Sequence, residues 1–192
     1  MSQICDELHR WFNNRQRFRF PFDSAAIPRN GIYVLFEAGE RAHGGDRIVR
    51  AGTHTGENQL CSRLKQHFVL ENKDRSIFRK NIGRALLARN HDPYADQWES
   101  DLTSSLAKDQ KAHLINPARQ RQVERDVSKR IQDFFSFAVI EVANKADRLS
   151  LESRIISTIS LCSECQPSTG WLGLSSPKNK ICESGLWLVN EL

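Results

Sequence analysis

Two short runs of strand-forming residues, each fastened to a glycine, constrain the fold of this chain more than any other feature. Asn30-Gly31 is a turn signal, and Ile32-Tyr33-Val34-Leu35-Phe36 follows it directly; Arg47-Ile48-Val49-Arg50-Ala51 stops at Gly52. Branched and aromatic side chains suit a pleated, half-buried surface, so the two runs are expected to pair as an antiparallel hairpin. Gly39 to Asp46, with Gly44-Gly45 inside it, reads as a long loop between them. A third run, Phe134 to Val142 (FFSFAVIEV), is long and apolar enough to be central. Phe18, Phe20 and Phe22 alternate with Arg19 and Pro21, an extended segment that Pro21 and Pro28 keep out of any central strand.

Helical spacing marks the stretches between these runs. Ile4, Leu8, Trp11 and Phe12 predict an amphipathic helix over residues 2–15. Leu60, Leu64 and Phe68 form the stripe of a helix from about Asn58 to Phe68, with Arg63 and His67 four apart on a neighbouring face. Residues 71–133 read as mostly helical. Ser76 to Ala88 is a basic helix carrying Arg79, Lys80 and Arg84 behind Arg75; His91-Asp92-Pro93 breaks it, and Ala118 to Asp133 is a second, charged helix. Asn144 and Asp147 can cap a further helix whose stripe is Leu151, Ile155 and Ile159, which puts Glu152 at the edge of the core face. Trp98, Trp171 and Trp187 read as packing aromatics rather than stacking platforms.

Charge is unevenly spread. Residues 1–90 hold 16 Lys and Arg against 9 Asp and Glu, whereas residues 91–192 hold 12 against 14. A basic first half suits a polyanionic partner. Apolar runs such as Ile32 to Phe36 are too short to cross a bilayer. Asp6, Glu7, His9 and Arg10 interrupt any signal-peptide core, so a cytoplasmic protein is expected. The five cysteines, Cys5, Cys61, Cys162, Cys165 and Cys182, are odd in number and irregular in spacing, which is no disulfide framework. Cys162 and Cys165 form one CxxC with only Cys182 nearby. Free thiols are the main expectation, and metal binding by those three stays open.

Gly31-Ile32-Tyr33 on one strand, a second strand ending Gly52-Thr53, a helix bearing Arg63 and His67, and a late helix bearing Glu152 together resemble the GIY-YIG nuclease module. The resemblance covers about residues 28–165. It implies an α+β fold, a small three-stranded antiparallel sheet flanked by helices, in one domain over 1–192. The core would lie at about 28–70 and 134–165, with a helical insertion at 71–133 and a tail at 166–192. It also implies cleavage of DNA phosphodiesters with one divalent ion, Mg2+ or Mn2+, held by Glu152; Arg63 and Arg50 are expected to stabilise the phosphate. Two positions depart from the family: Arg50 stands where the second tyrosine belongs, and the late asparagine has no counterpart among Glu164, Gln166 and Ser168.

These residue types suit the chemistry. Phosphodiester hydrolysis needs an activated water and stabilisation of charge on the phosphate oxygens. A carboxylate is a hard ligand for a magnesium-like ion, and guanidinium matches phosphate geometry. A phenol with an ordinary pKa of about 10 is ionised roughly one part in a thousand at neutral pH, a barrier of about 4 kcal/mol. Tyr33 can therefore be the base only with cations around it, and His67, ordinarily near ~6.5, is the competing assignment. Arg75, Arg79, Lys80 and Arg84 are expected to grip DNA outside the site. Two other readings remain: a catalytically silent nucleic-acid-binding module on the same fold, and an interaction domain clipped by metal at Cys162, Cys165 and Cys182. Recognition site, nicking versus double-strand cleavage, oligomeric state and pathway are not encoded in any motif.

Overall fold

A computed structural model describes residues 2–106, 109 and 112–189. The chain opens with helix α1 (Ser2–Asn13), followed by β1 (Phe18–Arg19), β2 (Gly31–Ala42) and β3 (Gly45–Gly52). Helices α2 (Leu60–Phe68), α3 (Ile77–Arg89), the one-turn α4 (Ala95–Trp98) and α5 (Pro117–Phe134) precede the last strand, β4 (Phe135–Glu141). Helix α6 (Lys145–Ser160) and the short α7 (Asn179–Ser184) complete the described chain. No helix among the described residues is long and apolar enough to cross a membrane.

The strands form one antiparallel sheet in the order β1-β4-β2-β3. It has four strands, where the resemblance implies three. The extra strand is the Phe18–Arg19 segment, which pairs with Phe137 and Ser136. Proline nearby lacks the N–H a longer ladder requires, so this strand stays short and at the edge. The expected Gly39–Asp46 loop is also corrected. Both strands continue through it, with register shifts near Phe36, and close on a two-residue turn at His43 (φ 49°) and Gly44 (φ 72°). Positive φ at both central residues is what the tight hairpin turn matching strand twist demands.

Alternation along the strands sends side chains to two cores. Tyr33, Leu35, Val49, Phe135 and Phe137 face α2, α3 and α5; Ile32, Val34, Phe36, Ile48 and Ala138 face α1 and α6. Helix starts follow local chemistry. Ser76 accepts from the Arg79 N–H, Asn116 caps α5 with Pro117 in its first turn, and Asn144 caps α6.

Helix α3 is not the solvated basic helix its sequence suggests. It lies inside the first core, touching α5, the tail turn Leu172–Ser175 and Trp98. Gly83 permits this packing, because a Cβ there would come within 2.3 Å of the Trp98 ring. Trp98, Trp171 and Trp187 are all buried. The tail docks through buried Glu37, which accepts from the indole N–H groups of Trp171 (2.8 Å) and Trp187 (2.9 Å).

Candidate active site

Tyr33 sits on the central strand, between Gly52 of β3 and Val139 of β4. Gly31 must be glycine, since a Cβ there would lie 2.1 Å from the Ile140 carbonyl oxygen. Gly52 opens the space the phenol occupies: a Cβ on it would stand 2.2 Å from Tyr33 Oη. The phenol therefore crosses β3 toward α2, where Oη lies 2.7 Å from His67 Nε2. His67 Nδ1 is in turn 2.7 Å from Ser76 Oγ, at the cap of α3. Arg50, from β3, donates through Nε to the same phenol oxygen at 3.4 Å and through Nη1 to the Trp187 carbonyl. The residue in the second-tyrosine position thus points into the cluster.

Proton positions follow from the donors. A neutral phenol that accepts from Arg50 gives its own proton to His67 Nε2, which leaves His67 Nδ1–H to donate to Ser76. His67 is fully buried, and its pKa lies well below 6.5, first because burial disfavours the charged ring and then because Arg63, Arg50 and Arg79 repel it. It is a neutral imidazole at physiological pH.

Next to this cluster along the chain, a hollow of about 270 Å³ is lined by Thr53, His54 and Thr55 after β3 and by Gln59 and the α2 residues Ser62, Arg63 and Gln66. Arg63 is partly exposed. It donates to Gln66 Oε1 (3.0 Å) and the Arg75 carbonyl (3.3 Å), and has no carboxylate partner among the described residues. Glu152 arrives from the other side. Its helix, α6, packs on the sheet face opposite Tyr33, yet the carboxylate reaches the end of β3 and accepts the Thr53 N–H at 3.0 Å. Thr53 follows Gly52, against which the Tyr33 phenol lies, so both groups come to one strand end.

The convergence is therefore uneven. Tyr33, His67 and Arg50 are in direct contact but buried; Arg63 lines the hollow; Glu152 borders it through Thr53. Sequence reasoning missed Ser76, which orients His67, and His54, which accepts the Gly31 N–H at 3.2 Å and whose pKa is lowered by burial. Only the folded contacts reveal either, since Ser76 looks like an ordinary helix cap in the sequence.

The expected DNA grip needs correction for three of its four residues. Arg79 is fully buried against Glu124 (2.8 Å), Arg84 pairs with Glu99 (2.5 Å), and Lys80 donates to the Glu99 carbonyl (2.9 Å). These side chains point into the protein and have no face for a phosphate. Arg75 alone of the four is exposed.

A family model described as the GIY-YIG domain matches residues 1–192, the whole chain. This chain belongs to the GIY-YIG family. Searches among curated proteins and among solved structures return no match. Membership places this GIY-YIG protein in a superfamily of nucleases, with nucleic acid as its substrate class. The match includes the α3–α5 segment as well as the hairpin, so the enlarged helical portion lies within the family's own pattern.

Proposed function

We propose that this protein is a divalent-metal-dependent DNA endonuclease whose reacting phosphate enters the hollow beside Arg63. The reading is carried by one observation: an imidazole and a guanidinium meet at a single phenol oxygen, Tyr33 Oη, and the neighbouring hollow is lined by Arg63, which has no carboxylate partner among the described residues. Arg63 would bind the phosphate oxygens. Tyr33 or His67 would activate the attacking water, the phenol through the oxygen that Arg50 supports and the imidazole as a neutral base whose charged form burial and three arginines disfavour. Ser76 would hold the imidazole in the tautomer this requires. Arg50 would stabilise the oxygen as charge develops on it.

The donor set at the strand end suits a hard divalent ion: the Glu152 carboxylate, beside the Thr53 and Thr55 hydroxyl-bearing loop, is all oxygen. Such an ion, when bound, supplies Lewis-acid stabilisation of phosphate charge. Supercoiled plasmid incubated with magnesium or manganese, wild type beside Glu152→Ala, tests the proposal. Nicking is expected in the wild type and not in the variant; nicking that persists in the variant overturns the site.

The burial of both Tyr33 and His67 favours a second reading, a silent nucleic-acid-binding module. That reading predicts retained DNA binding with no cleavage under either metal.

A further inference from the structure

On the sheet face opposite Tyr33, a second cluster of chemically active side chains has no part in the hollow. Cys5 of α1, His43 of the β2–β3 turn, and Cys162 and Cys165 just beyond α6 come together there, all with buried side chains. Cys5 Sγ lies 3.3 Å from Cys165 Sγ, and His43 Nε2 lies 3.2 Å from Cys165 Sγ and 3.5 Å from Cys162 Sγ. Ligand atoms each about 2.0–2.3 Å from one tetrahedral ion stand roughly 3.3–3.8 Å from one another. The Cys5–Cys165, His43–Cys165 and His43–Cys162 pairs have that spacing. It is too wide for a disulfide, whose sulfurs sit about 2.05 Å apart.

Three local features point to a ligand. The Cys162–Cys165 segment is a tight turn in which the Cys165 N–H bonds the Cys162 carbonyl at 3.1 Å, and both of its sulfurs face His43 Nε2. His43 occupies a left-handed turn position better suited to asparagine or glycine, and turns its ring inward. Behind that ring, Glu164 stands 3.6 Å from Nδ1, the carboxylate placement that orients a metal-bound histidine through its outer nitrogen.

We propose that Cys5, His43, Cys162 and Cys165 bind one zinc-class ion in a closed, structural Cys3His site. Thiolate and imidazole donors select a borderline-soft ion over magnesium, and four protein ligands leave no position for substrate. His9 is near enough to compete, its ligand nitrogen lying within 4.8 Å of those of Cys5, His43 and Cys165. Both its nitrogens are already engaged, however: Nε2 accepts the Ile48 N–H at 3.2 Å and Nδ1 faces the Cys5 carbonyl at 2.9 Å. Cys182 is excluded, since its sulfur contacts the Gly173 and Ser176 carbonyls elsewhere. The ion would clip α1, the hairpin turn and the end of the helix that carries Glu152.

The test is elemental analysis of the full chain purified without added metal, with about one zinc per chain expected. Cys162→Ser and His43→Ala should bring this to near none, while His9→Gln and Glu152→Gln retain it. Should the variants fail to fold, cobalt exchanged into the wild type should give the visible absorption of a tetrahedral thiolate site. Absence of both zinc and that cobalt spectrum overturns the proposal, as does a Cys5–Cys165 disulfide seen as a loss of two hydrogens in the intact mass. Zinc lost in His9→Gln but kept in Cys162→Ser overturns the ligand set. None of these readouts depends on nuclease activity.

Discussion

Replacing Arg79 with methionine separates a buried strut from a DNA contact. The guanidinium donates through Nε and Nη2 to Glu124 Oε2 (3.2 and 2.8 Å), and through Nη2 to the Glu124 carbonyl (3.0 Å) and Ser128 Oγ (2.8 Å). Nη1 reaches the His67 carbonyl at 3.1 Å. Methionine keeps the stem but leaves the Glu124 carboxylate, itself buried, with the Lys73 N–H as its remaining described donor. Breaking a buried pair by removing one partner costs about 3–5 kcal/mol. At about 2–4 °C per kcal/mol for a chain of this size, Tm should fall by roughly 6–20 °C. Thermal unfolding followed by circular dichroism reads this directly, with DNA affinity measured on the folded protein at low temperature. Arg79→Met/Glu124→Leu should regain much of the loss, because the uncompensated charge is gone. A Tm change under about 1 °C together with weakened DNA binding would refute the inward role of Arg79.

Tyr33→Phe deletes the oxygen shared by His67 and Arg50, leaving two buried polar atoms without that partner. A loss of about 1–3 kcal/mol in urea unfolding is expected, together with loss of plasmid cleavage. Arg63→Ala should leave stability nearly unchanged, since the side chain is partly exposed, and lower the cleavage rate by about a hundredfold or more. The pH dependence of stability should carry the mark of His67. Its folded pKa is depressed by burial and by Arg63, Arg50 and Arg79, so the unfolded chain binds more protons just below 6.5. Stability should therefore be undiminished by this group above about 6.5 and fall as pH drops from there toward the folded value. Unfolding free energies across that window should lose this slope in His67→Gln.

What was legible in the sequence was local. The hairpin glycines, the apolar runs of β2 and β4, and the stripe of α2 each lie within a dozen residues, where periodicity and turn chemistry act. Arg63 and His67 lie four apart on one helix, and Tyr33 meets Gly52 across a single hairpin. The missed features are long-range. Phe18–Arg19 becomes a strand only by pairing with residues 136–137. The basic residues of α3 look solvated until Glu124 and Glu99 arrive from elsewhere to neutralise them. Cys162 and Cys165 sit in a visible CxxC, but their partners Cys5 and His43 are distant in the chain, and the neighbouring Cys182 turned out to be irrelevant.

Arg50 shows how a departure from the family pattern can still be consistent with the site. A guanidinium has no lone pair to accept a proton, so it takes over none of a phenol's acid–base work. What it does is fix a direction. Donation from Arg50 to Tyr33 Oη leaves the phenol a donor to His67, and donation from His67 to Ser76 completes a chain running one way from β3 to α3. The other arm of Arg50 holds the Trp187 carbonyl, while the Trp187 indole is held by Glu37 of β2. The same cation therefore orients the proton chain and anchors the tail over it. A lysine in this position would have to reach both acceptors from one nitrogen, whereas the guanidinium reaches Tyr33 Oη and the Trp187 carbonyl from two separate nitrogens of a planar fork.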